Sequence, residues 1–161
     1  MTTPYGQTAV ESAADPIHWE LWPAPEQPEA LYQRFPEFTC QCPRSGYPDF
    51  ATVHLITIPD RRVVELKHLK LWLNSFRDRQ ISHEAATAEI LETLVGTISP
   101  RLAFLLMEYT PRGNLTTFPV VEHRSPALDE LRPGDPLALA VANADLLKAR
   151  VIDRVLVRAI G

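Results

Sequence analysis

The stretch from Ser82 to Pro100 leaves the chain little choice of structure. Ile90, Leu91, Leu94, Val95 and Ile98 recur at three- and four-residue intervals, the spacing that lines up one face of an α-helix. Ser82 is a helix-capping residue, Glu84 sets a negative charge in the first turn where the helix dipole favours it, and Pro100 stops the run. Leu69, Trp72, Leu73 and Phe76 repeat the pattern upstream and predict a first helix ending near Asp78. Two successive amphipathic helices need an apolar surface to cover, and the flanking segments supply strands. Ala51 to Ile58 reads as a strand, Pro59 to Arg62 as a turn, and Val63 to Lys67 as a return strand with Val63, Glu65 and Lys67 on one face and Val64 and Leu66 on the other. Leu102 to Tyr109 and Leu115 to Glu122 read as two more strands around a turn at Pro111 to Asn114. The order strand, strand, helix, helix, strand, strand predicts an α+β fold, an antiparallel four-stranded sheet with two helices on one face.

Around this core, residues 37–124, the chain carries two extensions. Residues 1–36 hold prolines at 4, 16, 23, 25, 28 and 36 and read as an irregular lead segment pinned by Trp19, Leu21 and Trp22. Residues 125–161 contain the turn Arg132 to Pro136 and a mostly apolar stretch from Leu137 to Ile160, expected as a helix and then a strand, with no role assigned. The 161 residues suffice for one domain with a small extension. Sixteen Lys and Arg against twenty Asp and Glu make a mildly acidic surface, which disfavours nucleic acid as a partner. No basic and apolar leader starts the chain and no stretch is apolar for the ~18 residues of a membrane span, so a cytoplasmic protein with no membrane partner is expected. No internal repeat stands out.

The candidate chemistry gathers in one loop, "CPRSGYPDF", where Cys42 and Asp49 are held by two prolines and a glycine. A thiol is a nucleophile only as the thiolate, so Cys42 needs a neighbour that lowers its pKa. A shielded carboxyl such as Asp49 can hold a proton and donate it to a reacting nitrogen. From the residues alone a core thiol and a turn-capping aspartate are the favoured readings of these two positions, and Cys40 reads as a core thiol. Glu84, beside His83, is either a first-turn acid or an acceptor for the paired N–H donors of a heterocycle. Glu65, Lys67 and Lys70 are either a solvated edge or a phosphate-binding group. No Rossmann or P-loop glycine pattern occurs, and the histidines at 18, 54, 68, 83 and 123 show no metal-ligand spacing, so no metal is expected.

Taken together, "CPRSGYPDFA", "ELKHLKLWLNSFR" and "SHEAA" resemble, in order and spacing, the unimodular nitrile reductases of queuosine biosynthesis, which act on 7-cyano-7-deazaguanine. The resemblance runs from roughly Phe35 to Arg124. It implies the tunnelling fold (T-fold), in which subunits assemble into a barrel ring with active sites between them, and hence a homo-oligomer. It also implies that Cys42 adds to the nitrile carbon to give a covalent thioimidate, that Asp49 protonates the nitrile nitrogen, and that Glu84 and His83 hold the substrate. The family's NADPH-associated motif falls on Glu65, Leu66, Lys67, His68, Leu69 and Lys70, with two NADPH consumed per nitrile. His68 stands where the family usually has a small residue, and Ser45 and Tyr47 replace a threonine and a glutamine around Gly46. The rival readings are a zinc cyclohydrolase of the same fold, with Cys40, Cys42 and one of His54, His68 or His83 as ligands, an amidinotransferase relative, and a non-enzymatic deazapurine-binding protein.

Overall fold

The computed structural model describes residue 15 and residues 18–160, so that Pro4 and Pro16 of the lead segment lie outside the described residues. The strands are β1 (Leu21–Pro23), β2 (Leu31–Gln41), β3 (Pro48–Ile58), β4 (Arg62–Val64), β5 (Leu102–Tyr109) and β6 (Val120–Arg124). The helices are α1 (Leu66–Asn74), continued by a 3-10 turn over Ser75–Asp78, then α2 (His83–Ile98), a 3-10 turn over Pro126–Glu130, and α3 (Pro136–Ile160). The main sheet is antiparallel with the order β2-β3-β5-β6.

The expected hairpin between Ala51–Ile58 and Val63–Lys67 does not form. Both edges of β3 are already filled, by β2 on one side and β5 on the other, so the chain after Ile58 has no free edge to return to. Instead β4 pairs with β1, with Leu21 opposite Val64 and Pro23 opposite Arg62. Glu65 then begins α1 as its N-cap, its side chain accepting the His68 N–H. The second core strand therefore comes from the lead segment, which was expected to be irregular up to 36. Pro36 is accommodated because β2 is an edge strand and because it falls where the pairing slips between Phe35 and Phe38.

The two helical readings hold. Ser82 Oγ accepts the Ala85 N–H at 3.2 Å, and Ser99 closes α2 in the left-handed region at φ 45 just before Pro100. α1 and α2 cover one sheet face, with Val53, Leu55, Leu105 and Met107 meeting Trp72, Phe76, Ile90 and Leu94 in one core. Trp19 of the lead segment joins this core edge-on to Trp72, ring centroids 4.9 Å apart, whereas Trp22 stays exposed. Truncating Trp72 or Phe76 to Ala would cost about 3–5 kcal/mol.

The tail is one continuous helix rather than a helix and a strand. Asp135 accepts the Leu137 N–H at 2.8 Å and Pro136 takes the first position, where its missing N–H costs nothing. Leu137, Ala140, Ala144, Val151 and Val155 form its buried stripe, and they cover Ile56, Ile58, Leu102, Phe104 and Leu106 on the sheet face away from α1 and α2. Both faces of β3 and β5 are thus buried, which is why both read as nearly unbroken apolar runs. One polar row crosses this second face: Tyr32 Oη lies 2.8 Å from His54 Nδ1, and His54 Nε2 lies 3.1 Å from Glu108 Oε2. The last strand is shorter than expected, since residues 115–119 precede β6 with only irregular bonds, such as Met107 N–H to the Pro119 carbonyl.

Candidate active site

The loop between β2 and β3 is set by the strands that flank it. Cys40 pairs with Asp49 and Gln41 with Pro48, so the chain turns back within Cys42 to Tyr47. Cys42 N–H donates to the Tyr47 carbonyl at 2.8 Å and Gly46 N–H to the Cys42 carbonyl at 2.9 Å. Gly46 sits at φ 69, a conformation that glycine adopts without strain. Cys42 is partly exposed. The Ser45 hydroxyl, then the backbone N–H groups of Ser45 and Arg44, stabilise its thiolate and lower the thiol pKa from 9.0 to about 7. Cys40, two residues away, is fully buried, and burial followed by the Asp49 charge pushes its thiol up to about 11. The local environments thus separate a thiol of lowered pKa from one of raised pKa.

Asp49 is 4% exposed. Two cationic or potentially cationic groups meet its Oδ1: Arg112 Nε at 2.7 Å, from the turn after β5, and His83 Nε2 at 3.3 Å, from the first turn of α2. His83 reaches this point because residues 79–81 run beside the end of β2, with Gln41 N–H donating to the Arg79 carbonyl and Ile81 N–H to the Gln41 carbonyl. A two-pronged pair between Arg79 and Glu89, 2.7 Å at each prong, ties that segment to α2. The His83 ring stacks on Tyr109, centroids 3.7 Å apart and planes 10° from parallel. The Tyr109 hydroxyl is buried without a conventional hydrogen-bond partner. Burial, the Cys40 charge and weak hydrogen bonding to that sulfur raise its pKa. Glu84 is exposed in the first turn of α2, yet its charge is still felt at Tyr109.

The residues from 65 to 70 form a separate surface. Glu65 to Lys67 were expected on a strand; instead Glu65 is the N-cap of α1 and Leu66 and Lys67 lie in its first turn, so Glu65 and Lys67 do not share a pleated face. Burial pushes the Glu65 carboxyl up, but the backbone N–H groups of Lys67 and His68 and the His68 ring together hold it below the usual range. His68 Nδ1 lies 3.1 Å from Glu65 Oε2. A cleft of about 190 Å³ between α1 and β2 is lined by Leu66, Leu69, Lys70, Gln33 and Arg34, among others, and by none of Cys42, Asp49, His83 or Glu84. Among the described residues the three-ligand cluster with metal-like spacing is Glu20, Glu65 and His68. Neither cysteine belongs to it, so the zinc site imagined from Cys40 and Cys42 has no counterpart there.

Arg112, Tyr109 and the tuning role of Ser45 were not anticipated. "PRGN" reads only as a turn, and nothing in one sequence says that β5 lies beside β3, which is what carries Arg112 to Asp49. A hydroxyl three residues after Cys42 was the one local signal available.

A four-stranded antiparallel sheet with two helices on one face, carrying a buried carboxylate at the start of β3 and a thiol of lowered pKa on the loop before it, defines a tunnelling-fold protein. The crystal structure of the archaeosine synthase QueF-Like in the apo form shares this fold, with a TM-score of 0.54 at 22% identity, covering 63% of this chain and 98% of that one. The family described as QueF-like protein matches residues 48–127. An NADPH-dependent 7-cyano-7-deazaguanine reductase of Aquifex aeolicus is 52% identical over 124 residues, 75% of this chain and 91% of the relative. A protein of the same description from a Nitratiruptor species is 44% identical over 131 residues, 81% of this chain and 98% of the relative. The chain belongs to the QueF-like family of 7-cyano-7-deazaguanine reductases.

Proposed function

We propose that this protein is an NADPH-dependent reductase that converts the nitrile of 7-cyano-7-deazaguanine to an aminomethyl group, with Cys42 as covalent nucleophile and Asp49 as proton donor. The observation that carries the reading is the placement, at the two ends of one short turn, of a thiol lowered to about 7 and a buried carboxyl held by Arg112 and His83. The Cys42 thiolate adds its electron pair to the nitrile carbon, the carbon–nitrogen π bond breaks toward nitrogen, and Asp49 supplies the proton that nitrogen gains. The carboxylate left behind faces Arg112 and His83, and the guanidinium charge stabilises the form that donation produces. Cys42 leaves again as a thiolate after the first reduction, and its lowered pKa makes it a competent leaving group. Glu84 accepts the paired N–H groups of the guanine-like edge, and His83 sits beside them.

NADPH, when bound, supplies the two hydrides that no side chain can provide. The cleft beside α1 suits its phosphates chemically, since Lys70 and Arg34 line it over an apolar floor of Leu66, Leu69 and Val53, and Glu65, Lys67 and His68 lie on the same helix start. That cleft does not include the Cys42 loop, and among the described residues β2 and β6 are the outer strands of the main sheet. Both features support a homo-oligomer, a barrel ring in which the nucleophile of one subunit meets the cofactor surface of another. Among the described residues no helix is long and apolar enough to cross a membrane, and a reduced working thiol suits the cytoplasm.

The test mixes purified protein with 7-cyano-7-deazaguanine, follows NADPH absorbance, and takes an intact mass from a sample without NADPH. Two NADPH consumed per product, with an adduct absent from Cys42→Ala, is the expected result. An adduct without NADPH consumption would support the amine-transferring relative, and binding without adduct or turnover would support a deazapurine-binding protein.

A further inference from the structure

We infer that Arg112 is the positioning residue of this site: from a rigid turn it clamps both the Asp49 carboxylate and the loop backbone that carries it. The inference rests on the reductase reading above. Arg112 Nε lies 2.7 Å from Asp49 Oδ1, and Arg112 Nη2 donates to the Pro48 carbonyl at 2.6 Å, so one planar guanidinium holds side chain and main chain at adjacent residues. The Pro48 carbonyl and the Asp49 carboxylate belong to the first two residues of β3, where the Cys42 loop ends.

The base of the clamp is stiff. Arg112 and Leu115 exchange backbone hydrogen bonds at 3.0 and 2.9 Å, and Gly113 and Asn114 between them both adopt positive φ, 55 and 66, the signature of a tight two-residue hairpin turn. Thr110 N–H donates to the Phe50 carbonyl at 2.9 Å, which fastens that hairpin to the start of β3. His83 approaches the same oxygen from α2 and is itself held flat against Tyr109. Both groups meet Oδ1, which leaves Oδ2 for the proton that the reductase reading assigns to Asp49. Arg112 thus fixes which oxygen gives the proton, and it meets the charge that appears when the proton leaves.

The test is a double-mutant cycle read on adduct formation, in single turnovers without NADPH. Arg112→Gln is expected to slow adduct formation about ten- to hundredfold, the cost of a small misplacement of a reacting group. Substrate affinity, measured in the Cys42→Ala background, stays within about twofold of its value with Arg112 intact. In an Asp49→Asn background the same Arg112→Gln change alters the residual rate by less than about twofold, because the group it acts through is gone. That pair also leaves no unpaired buried charge, so a fold failure in Arg112→Gln alone does not obscure the result. Arg112→Lys stays several-fold slow, since an ammonium is not a planar fork. Equal penalties in both backgrounds, a parallel loss of substrate affinity, full rescue by lysine, or a wild-type rate in Arg112→Gln would each overturn the assignment. A wild-type protein that forms no adduct would instead remove the reductase reading, and the role of Arg112 with it.

Discussion

Replacing Ser45 with alanine tests the electrostatics of the nucleophile directly. The Cys42 thiol is lowered from 9.0 to about 7, with the Ser45 hydroxyl as the largest cause and the backbone N–H groups of Ser45 and Arg44 behind it. Losing the largest contribution while keeping the backbone ones leaves the thiol between about 7 and its ordinary 9.0. At the middle of that interval the thiolate population at pH 7 falls from about a half to about a tenth. A more basic thiolate is also a better nucleophile, by roughly threefold for one pH unit of basicity. The two effects oppose each other at pH 7 and leave a net slowing of about twofold, whereas at pH 9, with both forms ionised, Ser45→Ala is about two- to threefold faster than wild type. The pH profiles of iodoacetamide alkylation and of adduct formation should therefore cross between pH 7 and 9. Ser45→Thr, which keeps a hydroxyl, should leave the midpoint near 7. An unchanged midpoint in Ser45→Ala, or a wild-type midpoint near 9, would refute this account of how the loop activates its thiol.

Other perturbations read separate parts of the structure. Cys42→Ala should abolish adduct and turnover while Cys40→Ala keeps most activity, and native alkylation should label one thiol per chain, because Cys40 is buried with its pKa near 11; equal losses in the two variants would contradict this. Glu84→Ala should weaken substrate binding by about tenfold or more in the Cys42→Ala background, since a paired N–H edge loses a charged acceptor; unchanged affinity removes Glu84 from the site. Burial first of all lowers the His54 pKa, against the opposing pull of Glu108 and with Arg34 and Arg154 nearby, so the folded protein holds that ring neutral. Its contribution to stability is complete above the ordinary histidine value and is lost as pH falls through the lowered one, so thermal stability should drop from about pH 7 toward pH 5 and His54→Gln should flatten that drop. Ending the chain after Leu131 uncovers Ile56, Ile58, Leu102, Phe104 and Leu106, and should give an aggregating or dye-binding product; a soluble truncated chain with unchanged melting would show that α3 adds nothing to the fold.

What the sequence by itself determined is local. Period and capping are properties of neighbouring residues, and they placed α1 and α2, β5, the turn at Pro111 to Asn114, and the loop that carries Cys42 and Asp49. The four-strand count was also legible, but with one strand misplaced, because Val63 to Lys67 alternates like a strand while β2 is masked by Pro36 and by the prolines that precede it. Strand pairing is a contest for edges, and only the assembled sheet shows that β3 has none to spare. The tail likewise reads as apolar without saying where it goes, until the second face of β3 and β5 needs covering. The candidate site divides along the same line. The residue types of Cys42, Asp49, His83 and Glu84 were visible in the chain, and the family resemblance joined them. The contact that orients Asp49 was not visible, since Arg112 lies 63 residues further along and reaches it only because β5 lies against β3.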